Sequence, residues 1–152
     1  MKFFYALLFL IVATPVYANC SINAGIDDDN LTKMIVNQGW SLSNYGKICN
    51  ELKRHNLGIH INQIGYISDY QTTVVTNLRV YPREIQEKYK QVITVETNKM
   101  SLLSSPERTS AKLSDLKYKD ANNLLNTLLD DKKIWNGTLD QIAFLREKMK
   151  SQ

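Results

Sequence analysis

The chain has 152 residues, a length that accommodates one ordinary domain but not two. Hydrophobic residues make up 43% and charged residues 22%, which excludes an intrinsically disordered protein. The formal net charge is +4, but the basic residues are spread along the chain among acidic ones. Nucleic-acid-binding proteins concentrate their basic residues on one face, so this pattern predicts no nucleic-acid partner.

The N-terminus has the organisation of a secretory signal peptide. Lys2 supplies a positive charge, Phe3 to Ala13 is apolar throughout, and Val16 and Ala18 place small residues at positions −3 and −1 of a cleavage site. The apolar run is too short to span a bilayer, and no later run is long enough to be a transmembrane segment. We therefore expect residues 1–18 to be removed, leaving a single exported domain over residues 19–152.

The two cysteines, Cys20 and Cys49, are predicted to form a disulfide. Cysteines of exported proteins are usually paired, and a redox-active pair would normally lie in a C-x-x-C motif, which this chain lacks. The bond would close a loop of about thirty residues and stabilise the fold by about 3–4 kcal/mol. Because Asn19 precedes Cys20, the cysteine would be the second mature residue, and we expect a soluble protein without a lipid anchor.

Two N-terminal helices are predicted, over about residues 28–38 and 41–55, with Gly39 between them. The acidic run 27–29 precedes the first apolar positions, where carboxylates cap free N–H groups and oppose the positive helix end. It lacks the alternating ligands, Gly turn and closing Glu of a calcium site. The second helix has a core-facing stripe at spacings of three and four residues, consisting of Leu42, Tyr45, Ile48, Cys49 and Leu52.

The hydrophobic period then changes from about 3.6 to 2, which predicts a hairpin. Its strands cover about residues 57–67 and 70–81. Residues 84–90 are expected to form a loop or one short helical turn. A third strand is expected at 91–97, so that the three strands form an antiparallel meander.

The first of these strands alternates imperfectly. Ile59 and Ile61 fall on one side of it, whereas Ile64 and Tyr66 fall on the other. We therefore expect either a bulge near residues 63–65 or a strand that is covered on both faces.

Two C-terminal helices complete the predicted order α-β-β-β-α-α. Ser105-Pro106-Glu107 is a helix-start signature, although the helix could also begin near Ser110. Asn136-Gly137 predicts a turn, and Thr138 with Gln141 fits a capping box for a last helix over about 138–150. Because three strands need a cover, we expect the leucine stripe of the first helix to pack on the meander rather than bind a partner. The predicted fold class is α+β.

No residue pattern predicts catalysis or a cofactor. The sequence contains no G-x-S-x-G, H-E-x-x-H, phosphate-binding Gly loop or dinucleotide fingerprint. His55 and His60 could supply two metal ligands, but a zinc site needs three or four, and no cysteine pair or well-placed carboxylate completes it. We therefore expect no enzyme, no metal and no cofactor. A minimal hydrolase using His55 or His60 is the least favoured alternative.

Three segments of the chain carry a resemblance to other proteins. They are C-S-I-N-A-G-I at 20–26, W-S-L-S-N-Y-G-K-I-C-N-E-L-K-R-H-N at 40–56, and W-N-G-T-L-D at 135–140. In this succession the chain resembles a group of small, uncharacterised exported proteins of Gram-negative bacteria. The resemblance implies a periplasmic location and attaches no activity or functional residue to the chain.

The sequence favours a non-catalytic binding protein that occludes another protein of the cell envelope, as inhibitors and immunity factors do. Aromatic side chains are enriched where proteins make contact, so Tyr66, Tyr70 and Tyr81 on the hairpin are the candidate contact residues. Their alternative role is ordinary packing of the strands. The alternative function is a carrier that holds a small apolar ligand between meander and helices. The sequence leaves the oligomeric state open.

Overall fold

A computed structural model describes residues 20–95 and 98–150, so the expected signal peptide lies outside the described residues. This part of the chain has an α+β fold, as predicted. None of its helices combines the length and the apolar character that a membrane span requires. The elements are, in chain order, β1 (Ala24–Ile26), α1 (Asp29–Gln38), α2 (Tyr45–Arg54), β2 (Leu57–Ile67), β3 (Thr72–Pro82), α3 (Arg83–Tyr89), β4 (Asn98–Ser105), α4 (Ser110–Asn126) and α5 (Lys132–Lys150).

The strands form one mixed sheet in the order β1-β2-β3-β4. The expected three-stranded meander is its larger part, since β2, β3 and β4 are antiparallel neighbours. The sheet has an additional strand, β1, which pairs in parallel with β2 and places Ala24 opposite Ile59 and Ile26 opposite Ile61. The sequence analysis missed β1 because three residues are too few to show a period.

The third strand of the meander was predicted at the wrong place. It lies at residues 98–105. Residues 91–95 have no regular structure, and residues 96–97 of the expected strand lie outside the described residues. The alternation of β4 is hidden because Lys99 and Ser101 face the protein interior, where they donate hydrogen bonds to Thr127 O and Asp120 Oδ1. An apolar run next to a helix was therefore mistaken for the strand.

Helix α1 agrees closely with the prediction, whereas α2 begins at Tyr45, four residues later than expected, so that Leu42 precedes it. Asp28 caps α1, and its side chain accepts a hydrogen bond of 2.8 Å from the N–H of Leu31. Gly39 ends α1 at a φ of 75°, a conformation that favours glycine. The predicted disulfide is also confirmed: Cys20 and Cys49 are bonded, with their Cα atoms 5.9 Å apart.

The C-terminal helices differ from the prediction at their starts. Helix α4 begins at Ser110, the later of the two expected positions, with Thr109 as its cap. Helix α5 runs through Asn136-Gly137, so the predicted turn and capping box are wrong. The Thr138 hydroxyl instead donates to Ile134 O within the helix, at 3.0 Å. Asp131 caps this helix, because its carboxylate accepts from the N–H groups of Lys133 and Ile134.

The hydrophobic core lies on one side of the sheet, between the strands and the helices. Helix α4 crosses this side and contacts β2, β3 and β4. Trp135 of α5 is buried there, and its indole N–H donates to Glu51 Oε1 of α2 at 3.1 Å. The most deeply buried apolar side chains include Leu31, Ile48, Ile59, Ile61, Val74, Leu78, Leu125 and Ile142.

Candidate functional site: the outer face of the sheet

The two faces of the sheet have different surroundings. Side chains of a strand alternate between faces, so the unbroken register of β2 with β3 assigns every residue to one of them. On the inner face, Gly65 lies against the side chain of Leu113, and Gln63 Nε2 donates to Lys117 O at 2.8 Å, both on α4. The outer face, as we call it, consists of Gly58, His60, Asn62, Ile64, Tyr66, Thr73, Val75, Asn77, Arg79, Tyr81, Met100, Leu102 and Ser104.

This continuous register corrects the interpretation of β2. The strand has no bulge at residues 63–65, and it is not covered on both faces. Ile64 and Tyr66 lie on the outer face, where they are 65% and 52% exposed. The imperfect alternation in the sequence therefore marks apolar side chains that point away from the core.

Apolar side chains form a row across the centre of the outer face. Ile64 of β2 lies opposite Val75 of β3, which in turn lies opposite Leu102 of β4. Leu102 is 67% exposed, and Met100, the neighbouring outer-face residue of β4, is 72% exposed. Contiguous exposed apolar side chains are typical of surfaces that bind another protein, a membrane or a ligand.

The three tyrosines proposed as contact residues have different positions. Tyr66 lies on the outer face next to the apolar row, and Tyr70, in the turn between β2 and β3, is 87% exposed. Tyr81 is buried: its ring lies directly over Gly58, and its hydroxyl donates to Asn23 Oδ1 at 3.2 Å. Burial raises the pKa of Tyr81. In this structure only Tyr66 and Tyr70 are available to a partner.

A polar group lies between Tyr81 and the apolar row. Asp27 accepts hydrogen bonds from Asn62 Nδ2 and pairs with His60 Nε2, each at 3.0 Å. The hydrogen bond from Asn62, with the smaller effect of His60, holds the pKa of Asp27 below its usual value despite partial burial. These contacts tie the chain after β1 to β2, which orders this end of the outer face.

Neither histidine lies in a catalytic or metal-binding arrangement. His60 faces Asp27, and His55 Nε2 lies 3.3 Å from Glu51 Oε1, but neither ring is hydrogen-bonded to a hydroxyl or thiol among the described residues. Across residues 20–95 and 98–150, no three His, Cys, Asp or Glu side chains are grouped so that they could hold a metal ion. Within the described residues, each histidine thus contacts a carboxylate but no side chain that could act as a nucleophile.

The space between sheet and helices is small. A cavity bordered by Leu78, Lys99 and Trp135 has a volume of about 10 Å³, scarcely enough for one water molecule. A larger groove follows α5 beside Val95 and Phe144, but it opens to solvent. Among the described residues, the cavity lined by Leu78 and Trp135 is therefore too small for the apolar ligand that was expected between meander and helices.

Comparison with known proteins adds no functional information. The chain matches no protein-family model, and the searches of curated proteins and of solved structures returned no significant match. A function for this chain must therefore be inferred from the geometry of the outer face.

Sequence reasoning missed part of this surface. Met100 and Leu102 supply two of its most exposed apolar side chains, but they fall after the predicted third strand. Their spacing of two, in a Ser- and Leu-containing segment, is the only sequence signal that could have identified them. Ile64 and Tyr66, in contrast, were visible as the residues that broke the alternation of β2.

Proposed function

We propose that this chain is a non-catalytic binding protein of the bacterial periplasm, which holds another envelope protein against the outer face of its sheet. The observation that carries the proposal is the apolar row formed by Ile64, Val75 and Leu102, in which Ile64 and Leu102 are largely exposed and Val75 is partly buried. The signal-peptide pattern and the disulfide support an oxidising compartment outside the cytoplasm.

The composition of the outer face is favourable for a protein partner. Its apolar centre is bordered by polar residues, with Asn62 and Asn77 on one side and Ser104 on the other. Interfaces between proteins commonly have an apolar core and a polar rim, with aromatic residues enriched. Tyr66 and Tyr70 lie at the end of the hairpin that is nearest the apolar row, where they can extend the contact.

The alternative, a carrier of a small apolar ligand, has less support. Ligand pockets generally enclose most of the ligand surface in several hundred Å³, whereas the cavity between sheet and helices measures about 10 Å³. A flat, open sheet face is better suited to another macromolecule. An apolar ligand would instead have to use an open groove, such as the one of about 610 Å³ beside Val95 and Phe144.

The test is affinity capture from an envelope extract of the source bacterium, using the exported, oxidised protein and a double variant, Ile64→Ser with Tyr66→Ser. We expect the wild type to retain one stoichiometric protein, and the double variant to bind that purified partner at least about tenfold more weakly in calorimetry.

Val36→Ser is the matched control. Val36 is 77% exposed on α1, away from the sheet, so the change removes a similar exposed apolar group from another surface. Unchanged binding of the double variant, or an equal loss in the control, would show that the outer face is not the contact. Recovery of a lipid or small molecule in place of a protein would support the carrier.

A further inference from the structure

Strand β4 is a free edge of the sheet. Of the elements in residues 20–95 and 98–150, only β3 pairs with it. Its inward side chains fix it to α4 and the residues that follow, since Ser101 donates to Asp120 Oδ1 and Lys99 to Thr127 O. The edge is therefore held in an extended conformation before any partner arrives.

The register determines which backbone groups of β4 are unpaired. Ile59 N donates to Asn23 O and Ile61 O accepts from Asp27 N, so these residues of β2 point their backbone groups away from β3. In an antiparallel sheet, the backbone groups of successive residues point alternately to the strand on one side and to the strand on the other. When this alternation is followed from β2 through β3 to β4, Ser101 and Leu103 are the residues that bond to β3. The backbone groups of Asn98, Met100, Leu102 and Ser104 consequently point away from the sheet.

This edge lacks the features that usually prevent strands from pairing. Natural edges are often short, bulged or interrupted by Pro, or carry outward charges. β4 is 8 residues long, has an unbroken register with β3 and contains no Pro. Its one charged residue, Lys99, faces inward, while Met100 and Leu102 are exposed.

We propose that a second copy of this chain occupies the β4 edge, so that two sheets join into one through an antiparallel β4–β4 pair. The two-fold axis would pass between the two copies of Ser101, so that Met100 of each copy lies opposite Leu102 of the other. Asn98 would lie opposite Ser104. Each of these pairs exchanges two main-chain hydrogen bonds, so all the outward groups of β4 are used.

The chemistry of the edge is complementary to itself. A pair centred on Ser101 brings no like charges together, and it places two apolar side chains, Met100 and Leu102, side by side on the outer face. A pair centred on Leu102 would instead set Asn98 against Pro106, which has no N–H to donate. The backbone pattern thus selects one register.

The other edge of the sheet explains why association would stop at two copies. β1 has 3 residues, and the chain that follows it turns away after Asp27, whose carboxylate already binds Asn62 and His60. In a dimer joined through β4, the strands left at the two ends of the joined sheet are the two copies of β1, and both are protected in this way. The contact is therefore closed, and it would not continue into a fibre.

This inference goes beyond the proposed function, because the dimer would form without the partner. It would also join the outer faces of two copies into one continuous surface. The two ideas are separable: Ile64 and Tyr66 lie two strands away from the β4 edge. The double variant at those positions should remain dimeric while losing its partner.

The experiment is sedimentation equilibrium of the exported, oxidised protein over a wide range of concentration, with amide hydrogen exchange on the same samples. We expect a reversible dimer in which the N–H groups of Met100, Leu102 and Ser104 are protected. Because these groups have no backbone partner in residues 20–95 and 98–150, their protection should fall on dilution to the monomer.

Charge variants test the register. A Met100→Lys/Leu102→Lys chain and a Met100→Glu/Leu102→Glu chain should each dimerise at least about tenfold more weakly, since like charges then face each other. Mixing the two should restore a mixed dimer. Val36→Lys, which places a charge on α1, should dimerise like the wild type.

Several outcomes would overturn the proposal. A protein that is monomeric at every concentration, lysine variants that dimerise like the wild type, or edge amides that exchange rapidly in the dimer would each contradict it. If the edge amides of a monomer become protected only when the captured partner is added, the occupant is a strand of that partner, and the proposal is wrong.

Discussion

The same strands form both faces of the sheet, but apolar side chains are buried on the inner face and several of them are exposed on the outer face. On the inner face, Ile59, Ile61 and Val74 are fully buried beneath the helices. On the outer face, Ile64 and Leu102 remain about two-thirds exposed, at 65% and 67%. Ile61 and Ile64 are only three residues apart in β2, yet Ile61 is part of the core and Ile64 is largely exposed to solvent.

Burial explains the inner side chains, but it does not explain the outer ones. Removing an apolar side chain from water stabilises the fold by about 1.5–3 kcal/mol when burial is complete. Ile64 and Leu102 gain only a small part of this, because most of their surface stays in contact with water. Together with Val75 they form a row across three strands that contributes little to folding, which is consistent with the contact proposed above.

The inner face also contains a polar row, and this one is covered by α4. Gln63, Thr76 and Ser101 lie opposite one another, and Gln63 Nε2 donates to Thr76 Oγ1 at 2.8 Å. Asp120 of α4, 2% exposed, accepts from Ser101 Oγ at 2.8 Å. A slip of one residue would expose these groups on the wrong face, so the row helps to fix the register of the sheet.

The largest expected effect comes from alanine substitution on the two faces of β2. Ile61→Ala should lower the free energy of unfolding by about 2–5 kcal/mol, because it leaves a cavity in the core. Ile64→Ala should cost less than about 1 kcal/mol, which is the range of strand propensity alone. Urea unfolding of both variants, at a concentration where the protein is monomeric, provides the measurement. Equal losses would show that the outer face is packed in solution.

Much of the fold was predictable because its signals are local. The bounds of β2 agree with the change of period at Leu57 and the polar turn after Ile67. The break between α1 and α2 was predictable from Gly39 alone. The disulfide was predictable from two cysteines in a chain that was expected to be exported. These features depend on residues that are adjacent, or on the absence of any alternative pairing.

The errors arose where distant contacts outweigh local preference. The turn expected at Asn136-Gly137 is a helix, because Trp135 is buried against α2 and the cap lies earlier, at Asp131. β1 exists only because β2 offers it an edge. The outer face was only partly foreseen, since nothing in the sequence of β4 indicates that α4 would cover one side and leave the other open.

A second prediction concerns the end of the sheet where the outer face is closed. Gly58 lies beneath the ring of Tyr81, so Gly58→Ala must displace that ring and break its hydrogen bond to Asn23. We expect a loss of about 1–3 kcal/mol in the free energy of unfolding and a changed near-UV circular dichroism spectrum.

Gly137→Ala is the matched control for this substitution. A Cβ at Gly137 meets no other atom, and the residue lies within α5, so alanine should be neutral or slightly stabilising. If Gly58→Ala is as stable as the wild type, Tyr81 does not hold this end of the outer face closed.

The smallest expected effect concerns an ion pair that fixes the helices above the inner face. The carboxylate of Asp28 binds Lys117 of α4, and their side chains are only 17% and 11% exposed. Burial alone would raise the pKa of Asp28, but Lys117 and the Leu31 N–H outweigh it and hold the pKa below the usual 3.8. Asp28→Asn keeps an acceptor for the helix cap and removes the charge, so it should cost about 1–2 kcal/mol at neutral pH.

The pH dependence distinguishes this ion pair from a simple packing effect. A carboxyl group whose pKa is lower in the folded state stabilises the fold above its unfolded value of 3.8, and that stabilisation disappears as the pH falls through the folded-state pKa. The difference in the free energy of unfolding between wild type and Asp28→Asn, measured by urea unfolding, should therefore shrink as the pH falls below that value.

Asp115→Asn is the control, because it removes a more exposed partner of Lys112 and Lys119. It should change the free energy of unfolding by less than about 1 kcal/mol. A cost for Asp28→Asn that is the same at low and neutral pH would mean that the pair positions α1 by shape and not by charge.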